Sequence, residues 1–464
     1  MKVPDTNQNV DVLVIFGITG DLAHKMTIPA LYRLEQSGYL HCPVVGVALE
    51  PWSRDRLVGE FKASLGNDGQ SVDQDVLESL ASKVSYVHGD FSDADTYLRL
   101  KDLISKYKNP LYYLEIPPPL FARVIQELSS VGLASKGKFL IEKPFGTDLG
   151  SAKALNGTLH EIITEEQILR IDHFLGKEPV LDISYLRFAN EIIEPLLSRE
   201  HVDSIQVTMA EDFGVEDRGS FYDKVGAVRD VVQNHLLQVL CLMTMEIPIA
   251  GNYGAIWDKK TDILKAVTPM DPKTTIFGQY EGYLDVPGVA PLSKTETYVA
   301  TQVYIENWRW HGVPVFIRTG KALSVRSTEL RVVFKRAPHL HYVSDLGGLP
   351  PNEMILRIDP DPSLRLQLAS KGAVGTRGRS VSLDLPFEEE LGKLPLPYER
   401  LIHNALIGDY SLFIREDSVE ESWRIVQSLL DPDKSIIGYK KGSFGPSDAN
   451  ALCKGHLGWQ RPWL

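Results

Sequence analysis

Between Arg170 and Glu178 the chain reads Arg-Ile-Asp-His-Phe-Leu-Gly-Lys-Glu, placing a carboxylate, an imidazole and an ammonium group beside a glycine. Asp172 can orient a histidine or steady its protonated form, and His173 with Lys177 can hold an anion. The apolar residues Ile168, Leu169 and Ile171 lead into the segment. Taken by itself, such a pattern is better explained as a solvated strand-to-helix junction, so its weight depends on the company it keeps.

Four more blocks carry candidate chemistry. Gly17-Ile18-Thr19-Gly20-Asp21-Leu22-Ala23 closes one apolar run and opens a helical one. Glycines there let the backbone turn tightly and approach a pyrophosphate, whose charge a helix N-terminus favours. Glu142-Lys143-Pro144-Phe145-Gly146 puts a lysine at a strand's carboxyl end, with Pro144 fixing the local backbone and trans as the default for its bond. Glu211-Asp212-Phe213-Gly214 follows a strand, and Arg229 to His235 opens a long apolar helical stretch. Asp230 and His235 lie five apart, a spacing that does not share one α-helical face. Arg318-Thr319-Gly320-Lys321, with Arg326, places cations beside a glycine and suits a phosphate or carboxylate. A solvated basic turn explains that last block equally well when it is read alone.

These blocks hang on two patterns of elements. The first part alternates: strands are expected at 10–16, 43–49, 84–87, 111–116 and 138–141, with helices at 21–36, 53–65, 93–107 and 119–131. Pro29 should kink or reset the first helix. Such alternation predicts an α/β, Rossmann-like doubly wound parallel sheet with its ligand crevice at the strand carboxyl ends. After about residue 172 the pattern changes to strands at 204–210, 297–306, 313–318, 330–334 and 353–358, with helices at 191–199 and 229–245. A larger α+β domain on a mainly antiparallel sheet is expected there. The division is placed as residues 1–172 for the dinucleotide-binding domain and 173–464 for substrate binding and oligomerisation.

A chain of 464 residues, 43% hydrophobic and 24% charged, has the make-up of a soluble two-domain protein. The net charge of -12 argues against nucleic acid or an anionic membrane as partner, so any anionic ligand must meet a local basic cluster. No apolar run is long enough to cross a bilayer, and the polar N-terminus lacks an export pattern. Cys42, Cys241 and Cys453 are scattered, without metal-ligand spacing or a disulfide framework, which fits a reducing cytoplasm.

In order, the five blocks resemble the glucose-6-phosphate dehydrogenase family, as does Tyr398 to Ile402 through Gly408-Asp409. The likeness runs over nearly the whole chain. It implies oxidation of glucose 6-phosphate to the 6-phosphogluconolactone, the entry to the pentose phosphate pathway, with hydride passing to NADP or NAD. His235 would be the general base and Asp172 its partner. His173 and Lys177 would bind the 6-phosphate, and Lys143 would touch both sugar and cofactor. Glu211 and Asp230 would accept from sugar hydroxyls, with Lys321 and Arg326 completing the basic side. Gly17, Thr19, Gly20, Asp21, Leu22 and Glu50 would line the cofactor site, and no metal is implied. A homodimer or homotetramer is expected through the C-terminal sheet.

The chain departs from the family pattern in three places. Phe174 stands where a tyrosine is usual, and losing that hydroxyl removes a charge-assisted bond of about 1.5–3 kcal/mol. This departure also motivates free glucose as an alternative substrate. Leu49-Glu50 replaces the usual arginine after the second strand. It cannot pair with a 2′-phosphate, so NAD use is expected, unless Thr19, Arg54 or Arg56 compensates. Asp359 replaces a glutamine near the sugar. A catalytically silent relative is the remaining alternative, but one would lack Asp172, His173, Lys177 or His235.

Overall fold

The computed structural model describes residues 9–66, 72–337, 349–371, 378–392 and 394–463. The chain divides into two compact units. The first comprises Met1–Lys177, Ala250–Trp257 and Pro395–Val419; the second comprises Glu178–Ile249, Asp258–Leu394 and Glu420–Leu464. No helix among the described residues is long and apolar enough to cross a membrane.

The first unit is built on six strands, β1 (Val12–Phe16), β2 (Val44–Ala48), β3 (Val84–His88), β4 (Pro110–Leu114), β5 (Lys138–Ile141) and β6 (Ile168–Arg170). Their order is β3-β2-β1-β4-β5-β6, every pairing parallel. β1, β2 and β4 are buried at every position, as strands covered by helices on both faces must be. The order reverses direction between β1 and β4, which makes their carboxyl ends the crevice of a doubly wound sheet.

Helices connect these strands, and the local sequence sets where they begin. Asp93 and Asp148 cap Ala94–Ile104 and Leu149–His160 by accepting from backbone N–H groups. The helix expected at 21–36 is broken: Ala23–Thr27 is π-helical, and an α-helix restarts at Ile28 with Pro29 in its first turn. A proline there has no intrahelical bond to lose.

The second unit is organised by β7 (Val202–Ala210), β8 (Ile276–Tyr280), β9 (Tyr298–Tyr304), β10 (Pro314–Gly320), β11 (Ser327–Phe334), β12 (Glu353–Asp359), β13 (Ser363–Lys371), β14 (Gly378–Pro386) and β15 (Ile436–Tyr439). The order is β14-β13-β12-β11-β7-β10-β9-β8-β15. Pairing is mostly antiparallel, with β7–β10 and β8–β15 parallel. β8, β13, β14 and β15 had no counterpart in the sequence reading. β13 and β14 alternate apolar and polar residues, and Leu368, Leu383 and Leu385 of that apolar set are exposed.

The helix expected at 191–199 is absent. Only a short 3-10 turn, Glu194–Leu196, forms there, because Pro195 supplies no N–H to a continuing helix. The regular helix precedes it, Glu178–Phe188. The stretch expected as one helix at 229–245 is a π-helix, Val228–Leu236, followed by an α-helix, Leu237–Thr244.

Candidate active site

In the first unit, Gly17 ends β1 at φ 87°, and a side chain there would collide with the Glu115 carbonyl oxygen. Glycine alone accepts both that backbone angle and that approach. Gly20 N bonds to Gly17 O at 2.8 Å, closing the turn. Leu22 is half-buried, whereas Asp21 points to solvent and meets Lys25 at 3.7 Å. Thr19 Oγ1 donates to Glu50 Oε2 at 2.6 Å, and Tyr86 Oη donates to the Glu50 carbonyl at 2.7 Å. Both cations considered as substitutes for the missing arginine are engaged elsewhere. Arg54 donates to the carbonyls of Val84 and Ala81, and Arg56 lies over the Trp52 ring. A cavity of about 750 Å³ opens beside Leu49, lined also by Tyr86, His88, Asp90 and Arg99.

β5 and β6 pair with Ile141 opposite Arg170, so Glu142-Lys143 and Ile171-Asp172 emerge from adjacent strand ends. The Lys143–Pro144 bond is cis, against the trans default. Asp172, 1% exposed, accepts from Phe174 N at 3.0 Å and so caps the short turn His173–Gly176. Phe174 is buried beneath that turn. Its ring centroid lies 4.4 Å from Lys177 Nζ and meets the His173 ring edge-on at 5.2 Å. The aromatic face therefore steadies the ammonium, a contact worth about 0.5–2 kcal/mol. Phe174 thus acts as a platform under the two candidate phosphate ligands. Arg170 is structural: it is fully buried and bonds Glu165 at 2.6 and 3.0 Å and Asn156 Oδ1 at 2.9 Å.

In the second unit the parallel pair β7–β10 sets Gly320 opposite Ala210, and the residues just past them meet. Lys321 Nζ bonds Glu211 Oε2 at 2.5 Å, near the rings of Phe213 and Tyr222. Lysine and glutamate, expected to serve separate parts of a substrate, are thus partners of one another. Arg326 reaches Asp359 at 3.3 Å on a largely exposed surface, so the residue that departs from the family pattern holds a candidate cation.

The π-helix corrects the reading of Asp230 and His235. Bonding of i→i+5 type winds the chain more widely than an α-helix, so residues five apart stack on one face. Asn234 Nδ2 donates to Arg229 O at 3.1 Å across the same interval, and its Oδ1 accepts from His235 N at 2.6 Å. His235 is 2% exposed. Gly226, φ 70°, breaks the chain two residues before the π-helix, where a Cβ would sit 2.6 Å from Glu296 Oε1. Glu296 accepts from Val228 N at 3.0 Å and pairs through Oε2 with Lys434 at 2.5 Å. This buried ion pair anchors the first turn of the helix that carries Asp230 and His235.

Family models described as the glucose-6-phosphate dehydrogenase NAD binding domain and C-terminal domain match residues 14–182 and 184–463. The chain belongs to the glucose-6-phosphate dehydrogenase family. It is 50% identical to glucose-6-phosphate 1-dehydrogenase 1 of Mycobacterium tuberculosis over 98% of this chain and 97% of that protein. It is 38% identical to the Bacillus subtilis glucose-6-phosphate 1-dehydrogenase over 98% and 99%. Among solved structures, a glucose-6-phosphate dehydrogenase in complex with glucose-6-phosphate matches at TM-score 0.91 and 34% identity, covering 98% of this chain and 99% of that one.

Within this glucose-6-phosphate dehydrogenase fold, two features escaped the sequence reading. Nothing local links Glu296 to a helix start some seventy residues earlier in the chain. Glu115 left a trace, as the lone charge in Leu-Tyr-Tyr-Leu-Glu-Ile-Pro-Pro-Pro. Its carboxyl accepts from Thr27, and Tyr113 Oη donates to Glu142 at 2.7 Å. Burial, with the charge of Glu142 adding, pushes Glu115 up to about 8; burial likewise pushes Glu142 up to about 7.

Both folded values lie above the ordinary 4.5. The stability these groups contribute is therefore fully present below about pH 4.5 and is lost as pH rises through 7 and 8. Thermal melts of the wild type should fall between pH 6 and 9, and Glu115→Gln should flatten that decline. Parallel pH profiles in the two proteins would refute the assignment.

Proposed function

We propose that the protein oxidises glucose 6-phosphate at C1 to the 6-phosphogluconolactone. The observation that carries this reading is the buried imidazole of His235, set on one face with Asp230 by the π-helix of a chain from this family. His235 takes the proton of the C1 hydroxyl, and Asp172 stabilises the imidazolium that results. His173 and Lys177 hold the phosphate, with Phe174 steadying the lysine from below. Glu211 and Asp230 accept from the sugar hydroxyls, Lys321 with Arg326 completes the basic side of the pocket, and Lys143 contacts sugar and cofactor.

The turn at Gly17, open where a Cβ would collide, fits a dinucleotide pyrophosphate. Gly17, Thr19, Gly20, Asp21, Leu22, Glu50 and Lys143 would hold the cofactor, which when bound supplies the hydride acceptor. NAD is the proposed preference over NADP. Leu49 is exposed and uncharged, Thr19 holds the Glu50 carboxylate ready to accept from a free ribose 2′-hydroxyl, and Arg54 is spent on backbone carbonyls. A homo-oligomer is proposed through the second unit's sheet, where the edge strand β14 exposes Leu383 and Leu385. Sedimentation equilibrium showing a monomer at micromolar concentration would contradict it.

His235→Asn should lower kcat by about 10²–10⁴, the range of a lost general base, while glucose 6-phosphate still binds in calorimetry. Near-normal turnover in that variant would remove His235 from the role. For the cofactor, kcat/KM should favour NAD, and Leu49→Arg should raise kcat/KM for NADP about tenfold, the equivalent of one gained ionic contact of about 1.4 kcal/mol. A strong wild-type preference for NADP would reverse the assignment.

A further inference from the structure

Two acids that the mechanism does not use lie at the carboxyl ends of β4 and β5. Glu115 follows β4 and Glu142 follows β5, on strands paired with Leu114 opposite Ile141. Thr27, from the π-helical turn after the glycine loop, donates to Glu115 Oε1. Tyr113 donates to Glu142 Oε1 at 2.7 Å, and its hydroxyl interacts with Glu115 as well. Tyr398 adds a second hydroxyl to Glu142. Glu115 Oε2 is shut off from solvent and has no hydrogen-bond partner among the described residues. Lys143 offsets part of the charge on Glu142, while Asp172 opposes its ionisation.

This network borders the crevice at the reversal of strand order. β1 and β4 are neighbours, and the Glu115 carbonyl is the atom that forces glycine at position 17. Two buried carboxyls on adjacent strand ends, with neutral hydroxyls as their hydrogen-bond donors among the described residues, are poorly compensated as a dianion.

We propose that Glu115 and Glu142 together retain one proton in this buried network, and that its loss is coupled to the charge of the nicotinamide held in the crevice. The oxidised ring is cationic and the reduced ring is neutral. Buried carboxylates beside the crevice favour the cation, and burial limits screening of that attraction. Binding of the oxidised cofactor therefore expels a proton to solvent, and exchange for the reduced form lets one return. This proton is distinct from the one His235 removes from the sugar. Burial lifts the two acids to about 8 and about 7, so the exchange falls in the neutral range. Affinity for the oxidised form rises with pH, and affinity for the reduced form stays level.

The inference rests on the dinucleotide site proposed above, and calorimetry separates the two. The full-length protein is titrated with NAD⁺, NADH, NADP⁺ and NADPH from pH 6 to 9, in two buffers of different ionisation enthalpy. The oxidised forms should bind about fivefold more tightly or better at the alkaline end, with net proton release, while the reduced forms hold constant. Glu115→Gln, a shape match for the protonated acid, should abolish most of the slope and the proton release. Tyr113→Phe, which removes the hydroxyl bonded to Glu142, should diminish both and serves as a second variant. An oxidised-to-reduced affinity ratio independent of pH in the wild type, or a slope unchanged in Glu115→Gln, overturns the proposal. Failure of all four dinucleotides to bind would overturn the cofactor site itself.

Discussion

Parallel pairing of strands is the constraint on which the rest of the molecule depends. Neighbouring parallel strands end on the same side, so whatever the sequence places just past each strand gathers there. In the first unit this assembles the Gly17 turn after β1, Glu115 after β4, Glu142-Lys143 after β5 and Asp172 after β6. The second unit is largely antiparallel, yet its β7–β10 pair is parallel and brings Glu211 to Lys321 in the same way. Much of the candidate chemistry in both units is hung from strand ends, and the π-helix Val228–Leu236 adds Asp230 and His235.

Charge is the second theme. A chain with a net charge of -12 needs cations held in place before it can receive an anion. Here they are held by unlike means: Lys177 over an aromatic ring, Lys321 on a carboxylate, Arg326 on Asp359. Each restraint limits the freedom a long side chain would lose on binding. The acids are managed too. Glu296 is matched by Lys434 at the start of the π-helix, whereas Glu115 and Glu142 accept from hydroxyls and burial raises the pKa of both.

Much of this was legible in the sequence, and the limits have physical causes. Continuous β-branched runs such as Val12–Phe16 announce a parallel strand, since both faces are covered. The glycine turn and the Asp172–Lys177 block were readable because their residue types make poor core. β13 and β14 were missed although Leu364, Leu366 and Leu368, and Val381, Leu383 and Leu385, alternate strictly with polar residues. The π-helix was invisible for another reason: its residues read as an ordinary amphipathic helix, and Glu296, which accepts from its first N–H, is distant in sequence. At Phe174 the missing hydroxyl is legible in the sequence, whereas the place of its ring beside Lys177 depends on the fold. Glu115 lay in plain view as a single charge among apolar residues and prolines.

The central claim is that the protein recognises a phosphorylated sugar through the turn that follows β6. Steady-state turnover of glucose 6-phosphate and of glucose, in the wild type and in Lys177→Ala, tests it most directly. Because a charge-assisted bond is worth about 1.5–3 kcal/mol, the substitution should raise KM for glucose 6-phosphate by about tenfold or more and leave turnover of free glucose unaltered. A wild type that turns over both sugars equally well, or a variant with an unchanged KM for the phosphate ester, would contradict the account.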